Sequence, residues 1–203
     1  MRLVTQNLAP NGRRVQMFAL EQALALELEQ LPDGPVDKAY IKSINPVGQI
    51  PVLVLDDGSA ISESVAICRF LESLKPSGLF GDSSKEQAIV EMWQRRMEFG
   101  LFVPSLEYGH HTYPLFKDSI QQFPEWAQTQ LPKINQCLAM MDEQLLSQPF
   151  IVGDKITIAD ITAYCGYQML RVFCNEFRQD LANVDCWLAA MDQRDSSAVA
   201  RYL

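Results

Sequence analysis

Apolar positions in the first 75 residues alternate between strand-like and helix-like spacing. The Asp57-Gly58 pair between two apolar runs is typical of a hairpin turn, and Asn45-Pro46 ends a helix because the residue before proline avoids helical angles. The order of elements, βαβα followed by ββα, indicates a small α/β domain. The predicted elements are a strand over Arg2–Thr5, a helix over Arg13–Leu24, a weak strand around Leu26 and Leu28, a helix over Asp37–Ile44, a hairpin of Val52–Leu55 and Ser59–Ile61, and a helix over Glu63–Leu74.

Beyond a segment rich in Pro, Gly and Ser, KPSGLFGDSS, every periodic segment is helical. Lys85–Val103 and Glu125–Leu146 each carry one stripe at helical spacing, and the first of these stripes consists of Ile89, Met92, Trp93, Arg96 and Phe99. Further helices are predicted from near Ile158 and near Val184, with a last turn or two from Ser196. We therefore predict an α/β domain over residues 1–76, a linker over 77–84 and an all-helical domain over 85–203.

Charge and cysteine content exclude several classes of function. The formal net charge of -8 and the absence of a basic stripe argue against nucleic acid as a partner. The longest apolar runs fall far short of the ~20 residues that span a bilayer, so we expect no membrane partner and a cytoplasmic protein. Five cysteines with no CxxC pair predict reduced, mostly buried thiols and no metal site.

Thr157-Ile158-Ala159-Asp160 has the pattern of a capping box at the start of a helix. In that motif the acidic side chain reaches back to the backbone amide of the capping residue. We therefore interpret Asp160 as a structural acid and not as a catalytic one.

The segment NPVGQIPVL places a proline at the first position of a strand, where its missing backbone donor is tolerated. If the Ile50-Pro51 bond is cis, the turn exposes the backbone donor and acceptor of Ile50. An extended peptide can then pair with that edge like an added strand. An ordinary trans proline at a strand start is the alternative.

Glu63 and Ser64 stand at the start of a predicted helix, where free backbone amides attract an anionic group. A serine hydroxyl can donate to a carboxylate there, and a glutamate can bind an ammonium group. Together the two residues can hold an α-amino acid head group. The alternative is helix capping by Ser62 or Ser64, with Glu63 in the first turn.

These residues carry a resemblance to a known family. NPVGQIPVL followed by ISESVAICRFLE resembles the thioredoxin-like domain of glutathione transferases, and FIVGDKITIADI resembles the capping-box segment of their helical domain. The resemblance covers nearly the whole chain and implies a thioredoxin-like N-terminal domain, an all-α C-terminal domain, glutathione as co-substrate and a homodimer. It further implies that Ile50 pairs with the cysteinyl part of glutathione, that Glu63 and Ser64 hold the γ-glutamyl group, that Gln49 lies near the peptide and that Lys38 binds the glycyl carboxylate.

Members of the family ionise the glutathione thiol with a Tyr, Ser or Cys near the end of the first strand. The stretch QNLAPNGRRV has none of these between Gln6 and Val15. It resembles bacterial members in which an Asn after the proline lies beside the sulfur, which makes Asn11 the candidate catalytic residue, with Thr5 and Asn7 as second choices. Capping of the first helix is the alternative role for Asn11.

Other conspicuous residues favour structural roles. His110-His111 lacks Cys, Asp or Glu at ligand spacing and predicts a loop or cleft position. Trp93, Trp126 and Trp187 lie on apolar stripes that predict core positions. The resemblance implies that the helix ending near these histidines faces the pocket for a second, apolar substrate, whose candidate lining is Tyr108, Tyr113 and Phe116, although ordinary packing is the alternative.

The resemblance implies a glutathione-dependent transferase in which the thiolate attacks a small hydrophobic electrophile, a peroxide or a disulfide. Conjugation, peroxide reduction and disulfide exchange all stay open because Tyr and Ser are missing. The alternatives are a non-catalytic binding or scaffold protein with the same fold and a glutathione-dependent isomerase.

Overall fold

The computed structural model of the chain describes residues 1–34, 36–174 and 180–202. The chain divides into two units, Met1–Ser77 and Gly78–Leu203. In the part of the chain that is described, no helix combines the length and apolar character needed to cross a bilayer.

The described part of the first unit contains a four-stranded sheet of order β2-β1-β3-β4. β1 pairs with β2 in parallel and with β3 antiparallel, and β3 pairs with β4 antiparallel. This mixed sheet with three helices is the thioredoxin-like arrangement that the resemblance implied. Its elements are β1 Arg2–Gln6, α1 Pro10–Glu21, β2 Glu27–Leu31, α2 Lys38–Ile44, β3 Val52–Val54, β4 Ala60–Ser62 and α3 Ser64–Leu74.

The central strands of this sheet form the core of the first unit. Leu3 and Val4 on β1 and Val52 and Leu53 on β3 are fully buried. Gly12, in the first turn of α1, lies so close to β1 that an added Cβ would stand 1.9 Å from the Thr5 Oγ1. The small residue therefore allows the start of α1 to pack directly on the strand.

The second unit is helical throughout its described regular structure, as the sequence predicted. A π-helical turn over Glu98–Phe102 separates α4 from α5, and 3-10 turns cover Pro114–Phe116 and Asp195–Ala200. The α-helices are α4 Ser84–Met97, α5 Val103–Thr112, α6 Pro124–Gln128, α7 Leu131–Leu145, α8 Ile158–Phe173 and α9 Ala182–Asp192.

The π-helical turn coincides with a close approach to α7. An added Cβ on Gly100 would stand 2.7 Å from the Cys137 Sγ, and that thiol donates to the backbone oxygen of Arg96 at 3.6 Å. Burial raises the pKa of the Cys137 thiol to about 12. The thiol therefore stays protonated and acts as a packing group with a weak hydrogen bond.

The predicted capping box is confirmed at the start of α8. Asp160 is fully buried, and its carboxylate accepts from the backbone amide and hydroxyl of Thr157, both at 2.9 Å. The same carboxylate accepts from the amide of Ile151 at 2.9 Å and from the indole Nε1 of Trp187 at 3.0 Å. Burial raises the pKa of Asp160, and these four donors oppose the rise. Asp160 thus connects the loop before α8, the start of α8 and α9.

Two predictions about burial in the helical unit were wrong. Trp126 is 48% exposed, whereas Trp93 and Trp187 lie in the core as predicted. The stripe predicted for Lys85–Val103 included Met92 and Phe99, but these are 41% and 62% exposed. The buried face of α4 instead carries Val90, Trp93, Gln94 and Met97.

Candidate functional site

Five of the six residues predicted to contact glutathione line one small cavity in the first unit. The cavity has a volume of about 50 Å³ and opens between the start of α1, the loop before β3 and the start of α3. Glu63 is the only ionisable side chain among its described lining residues. The lining is formed by Asn11, Asn45, Gln49, Ile50, Pro51, Glu63 and Ser64.

Asn11 reaches the cavity because α1 begins at Pro10, whose missing N–H is not needed at the first position of a helix. Ala9, the N-cap residue, provides no side-chain cap. The two alternative candidates do not line the cavity: Thr5 is buried against Gly12, and Asn7 is exposed. Asn11 is therefore the one of the three that faces this site.

The loop before β3 is held in place by Asn45, which is 5% exposed. Its side-chain amide donates to the backbone oxygen of Gln49 at 2.7 Å, and its side-chain oxygen accepts from the amide of Val47 at 3.3 Å. Gly48 adopts a φ of 74°, a backbone conformation that favours glycine. Asn45 thereby fixes the backbone that leads to Ile50.

The Ile50-Pro51 peptide bond is cis, the first of the two forms considered from the sequence. The pairing of β3 with β1 and with β4 extends only as far as Val52. The backbone of Ile50 therefore lies outside the ladder at the edge of the cavity, where an extended ligand can pair with it.

Glu63 and Ser64 form the opposite wall, at the junction of β4 and α3. Glu63 has a φ of 68°, and no side chain caps the N-terminus of α3. The Ser64 side chain is buried and donates its hydroxyl hydrogen to the Asn11 Oδ1 at 3.0 Å. A glutamate carboxylate, a serine hydroxyl and the uncapped start of a helix therefore meet at one place, a combination suited to an α-amino acid head group.

Lys38 does not line the cavity and is exposed at the first position of α2. Lys42, one turn further along α2, lies against the loop that carries Gln49. A Cβ added to Gly48 would stand 3.3 Å from the Lys42 Cγ. The sequence analysis missed Lys42, although its position three residues before Asn45 placed it near this loop.

The aromatic residues considered for a second substrate pocket lie in the helical unit. The ring centroid of Phe116 lies 4.8 Å from that of His110, and the ring centroid of Tyr113 lies 5.2 Å from that of Phe173. Burial lowers the pKa of His110, so its imidazole is less easily protonated. These contacts support the packing alternative for Tyr113 and Phe116.

The two adjacent histidines occupy the last turn of α5 and not a loop. The alternative prediction of a cleft position is confirmed for His111, which lines an open cleft together with Phe123 and Trp126. The prediction that no acidic residue stands at ligand spacing was wrong, because the Glu107 carboxylate lies 3.8 Å from a ring nitrogen of each histidine. The His111 Nδ1 accepts from the amide of Phe123 at 3.1 Å. Among the described residues, no group of three or more His, Cys, Asp or Glu side chains is arranged to hold a metal ion.

Comparisons with known families agree with this arrangement of two units. A family model described as glutathione S-transferase, N-terminal domain, matches residues 9–74, and one described as glutathione S-transferase, C-terminal domain, matches residues 105–195. The N-terminal match includes every residue that lines the cavity.

Individual relatives span both units. The chain is 30% identical over 194 residues to glutathione S-transferase 2 of Saccharomyces cerevisiae, covering 92% of this chain and 83% of that protein. A crystal structure of a glutathione S-transferase domain-containing protein from Marinobacter aquaeolei VT8 matches with a TM-score of 0.90 at 29% identity, covering 97% of this chain and 99% of that one. Elongation factor 1-gamma 3 of Oryza sativa subsp. japonica is 31% identical over 153 residues, which cover 73% of this chain but only 35% of that protein.

Proposed function

Because the chain belongs to the glutathione S-transferase family, we propose that it binds glutathione in the cavity of the first unit and promotes attack by the glutathione thiolate. The observation that carries the proposal is the convergence of Asn11, the Ile50 backbone, Glu63 and Ser64 on one cavity. Each offers a group that complements a different part of the tripeptide.

The γ-glutamyl end presents an ammonium and a carboxylate on one carbon. Glu63 supplies the negative charge for the ammonium, and Ser64 supplies a hydroxyl hydrogen at the uncapped start of α3 for the carboxylate. The two residues are adjacent in the chain and line the same cavity, so both charges of this head group have a complementary group nearby.

The cysteinyl part lies next to the backbone of Ile50, with Gln49 beside the peptide. Asn45 holds this loop from behind through its bond to the Gln49 oxygen. For the glycyl carboxylate, Lys38 stays a candidate from the resemblance, and Lys42 joins it because its stem lies against Gly48. Both belong to α2, and either places a positive charge toward the end of the ligand opposite Glu63.

Asn11 acts on the sulfur. A free thiol has a pKa of about 8.5, so most of it is protonated at neutral pH. An amide N–H beside the sulfur, together with the positive end of α1, favours the thiolate. The thiolate then attacks an electrophilic carbon and displaces its leaving group, a peroxide oxygen and releases the alcohol while the sulfur is oxidised to a sulfenic acid, or a disulfide sulfur and releases the other half as a thiolate. Because Tyr, Ser and Cys are absent between Gln6 and Val15, the proposal includes peroxide reduction and disulfide exchange beside conjugation.

Calorimetric titration with glutathione, followed by turnover assays, tests this function. We expect saturable binding and turnover of an aryl halide, an organic hydroperoxide or a mixed disulfide. The Asn11→Ala variant keeps binding while its turnover falls about 10- to 100-fold, the scale of one lost donor to a developing charge. Failure of the unmodified protein to bind glutathione would overturn the proposal.

Two other functions stay open from the comparisons and the residues. Similarity to elongation factor 1-gamma 3 favours a non-catalytic binding or scaffold protein, which would show no turnover in any of the three assays. A glutathione-dependent isomerase would instead bind glutathione and return it unchanged. The titration and the three assays separate the transferase from the other two, and a substrate screen for isomerisation in the presence of glutathione separates the isomerase from the scaffold protein.

We further propose that the chain is cytoplasmic and works as a homodimer. Met92, Phe99 and Val103 are 41%, 62% and 38% exposed along the α4–α5 stretch, so covering them against a second copy would remove apolar surface from water. Light scattering on the eluted protein should give twice the mass of one chain, and Phe99→Glu should reduce it to the monomer mass. A monomer mass for the unmodified protein at micromolar concentration would contradict the dimer.

A further inference from the structure

The Ser64 hydroxyl connects two helices that contribute different functions to the cavity. Ser64 begins α3, Asn11 lies in the first turn of α1, and the hydroxyl donates to the Asn11 Oδ1 at 3.0 Å. Ser64 is 6% exposed, so the bond is shielded from bulk water. Among the described residues, the Asn11 side-chain amide, which is the group proposed to stabilise the thiolate, donates to no acceptor.

A hydroxyl group has a single hydrogen to donate. In the proposed complex Ser64 faces two acceptors, the neutral oxygen of Asn11 and the ligand's γ-glutamyl carboxylate. A hydrogen bond to an ionised acceptor is roughly twice as strong as one between neutral groups. The carboxylate therefore takes the hydrogen, and the bond that holds Asn11 in the free protein breaks.

We propose that Ser64 is a shared donor that couples recognition of the γ-glutamyl carboxylate to release of Asn11. This inference rests on the proposed function and identifies Ser64 as a positioning residue in addition to a binding residue. In the free site Ser64 holds the Asn11 side chain against α3. When the carboxylate binds, the Asn11 side chain turns about its Cα–Cβ bond and brings its amide to the sulfur.

The coupling has a consequence for thiol specificity. Cysteinylglycine offers the same thiol without the γ-glutamyl carboxylate, so the Ser64 hydroxyl continues to donate its hydrogen bond to the Asn11 Oδ1. The site then selects glutathione in two ways. First, the γ-glutamyl carboxylate makes glutathione bind more tightly, and second, only glutathione releases the Asn11 side chain to reach the sulfur. Loss of the Ser64 hydroxyl therefore weakens the first selection, because the carboxylate loses a donor, and abolishes the second, because Asn11 is then released whichever thiol is bound.

Nuclear magnetic resonance of the Asn11 side-chain amide, assigned by its loss in Asn11→Ala, tests the exchange of partners directly. We expect glutathione to shift this resonance, cysteinylglycine to leave it at the free position, and Ser64→Ala to place it near the glutathione-bound position without ligand. Ser62→Ala, two residues away and outside the cavity lining, serves as the matched control and should leave the Asn11 resonance unchanged in both the free protein and the complex.

Steady-state kinetics give a second readout. Ser64→Ala should raise KM for glutathione about 10- to 100-fold, since a hydrogen bond to a charged group is lost, while kcat stays within about twofold. Asn11→Ala should lower kcat about 10- to 100-fold, and this decrease should be equal in the protein with Ser64 and in the Ser64→Ala background. A fall of kcat in Ser64→Ala that equals the fall in Asn11→Ala would overturn the proposal, because Ser64 would then hold Asn11 in the loaded complex.

The outcomes separate this inference from the function on which it rests. If glutathione does not bind the unmodified protein, the proposed function fails. If glutathione binds but the Asn11 resonance is the same in the free protein, the complex and Ser64→Ala, the function stands and the shared-donor inference fails.

Discussion

Replacing Asp160 with alanine is expected to lower the free energy of unfolding of the helical unit by about 3 to 5 kcal/mol. The substitution removes the acceptor of four hydrogen bonds in a fully buried place and leaves the donors of Ile151, Thr157 and Trp187 without it. An unpartnered buried donor costs about 1 to 3 kcal/mol, and these losses are not fully additive. Urea unfolding followed by circular dichroism and Trp fluorescence measures the change.

Two further variants make the Asp160 result interpretable. Asp160→Asn keeps one acceptor oxygen but turns an NH2 group toward the remaining donors, so we expect a loss of about 2 kcal/mol and a protein that still folds. Asp154→Ala removes an exposed carboxylate in the preceding turn and should change stability by less than about 0.5 kcal/mol. An Asp160→Ala variant as stable as Asp154→Ala would show that the carboxylate is not needed for the fold.

Replacing Glu63 with alanine is expected to weaken glutathione binding about 10- to 100-fold, because the ligand ammonium loses its only carboxylate partner among the described lining residues. Glu63 adopts a φ of 68°, which is unfavourable for any residue with a Cβ. Alanine and glutamine also carry a Cβ and have the same backbone strain at this position as glutamate. A change in affinity in Glu63→Ala or Glu63→Gln therefore measures the contribution of the carboxylate. Calorimetric titration of each variant gives the dissociation constants.

The Glu63 prediction has two controls, one a variant of the protein and the other a modified ligand. Glu27→Gln changes the net charge equally at an exposed position of β2 and should bind as the unmodified protein does. N-acetylglutathione lacks the ammonium, so it should bind the unmodified protein weakly and lose little more in Glu63→Ala. Equal losses for glutathione and N-acetylglutathione in Glu63→Ala would show that Glu63 does not contact the ammonium.

The α/β unit was predictable because its signals are local. Proline at a strand start, the Asp57-Gly58 turn and the Asn45-Pro46 helix end each constrain their own backbone, and the observed elements follow them closely. The capping box of Thr157 and Asp160 is equally local. The additional bonds of Asp160 to Ile151 and Trp187 depend on tertiary packing and could not be seen in the sequence.

The helical unit was less predictable where local rules compete. The segment predicted as one helix over Glu125–Leu146 is divided into α6 and α7, and Pro132 in the first turn of α7 was the neglected signal. Trp126 lies in the short helix α6 and not within a long apolar stripe, which accounts for its exposure. Periodicity alone does not tell which face of a helix finds a partner.

In the candidate site, residue types were predictable but their contacts were not. Asn11 and Ser64 are 53 residues apart, and only the fold brings their side chains to hydrogen-bonding distance. The contact of Lys42 with the loop at Gly48 has no signature in the residue order, so only the structure makes Lys42 a second candidate beside Lys38.

The π-helical turn at Glu98–Phe102 determines which side chains α5 presents on each of its faces. Such a turn holds one residue more than an α-helical turn, so every later side chain is rotated by about 100° relative to an unbroken helix. The direction of the histidines at the end of α5 therefore depends on the π-helical turn that precedes α5. A relative without that extra residue would present a different set of side chains at the same end of the helix, even if its sequence there were identical.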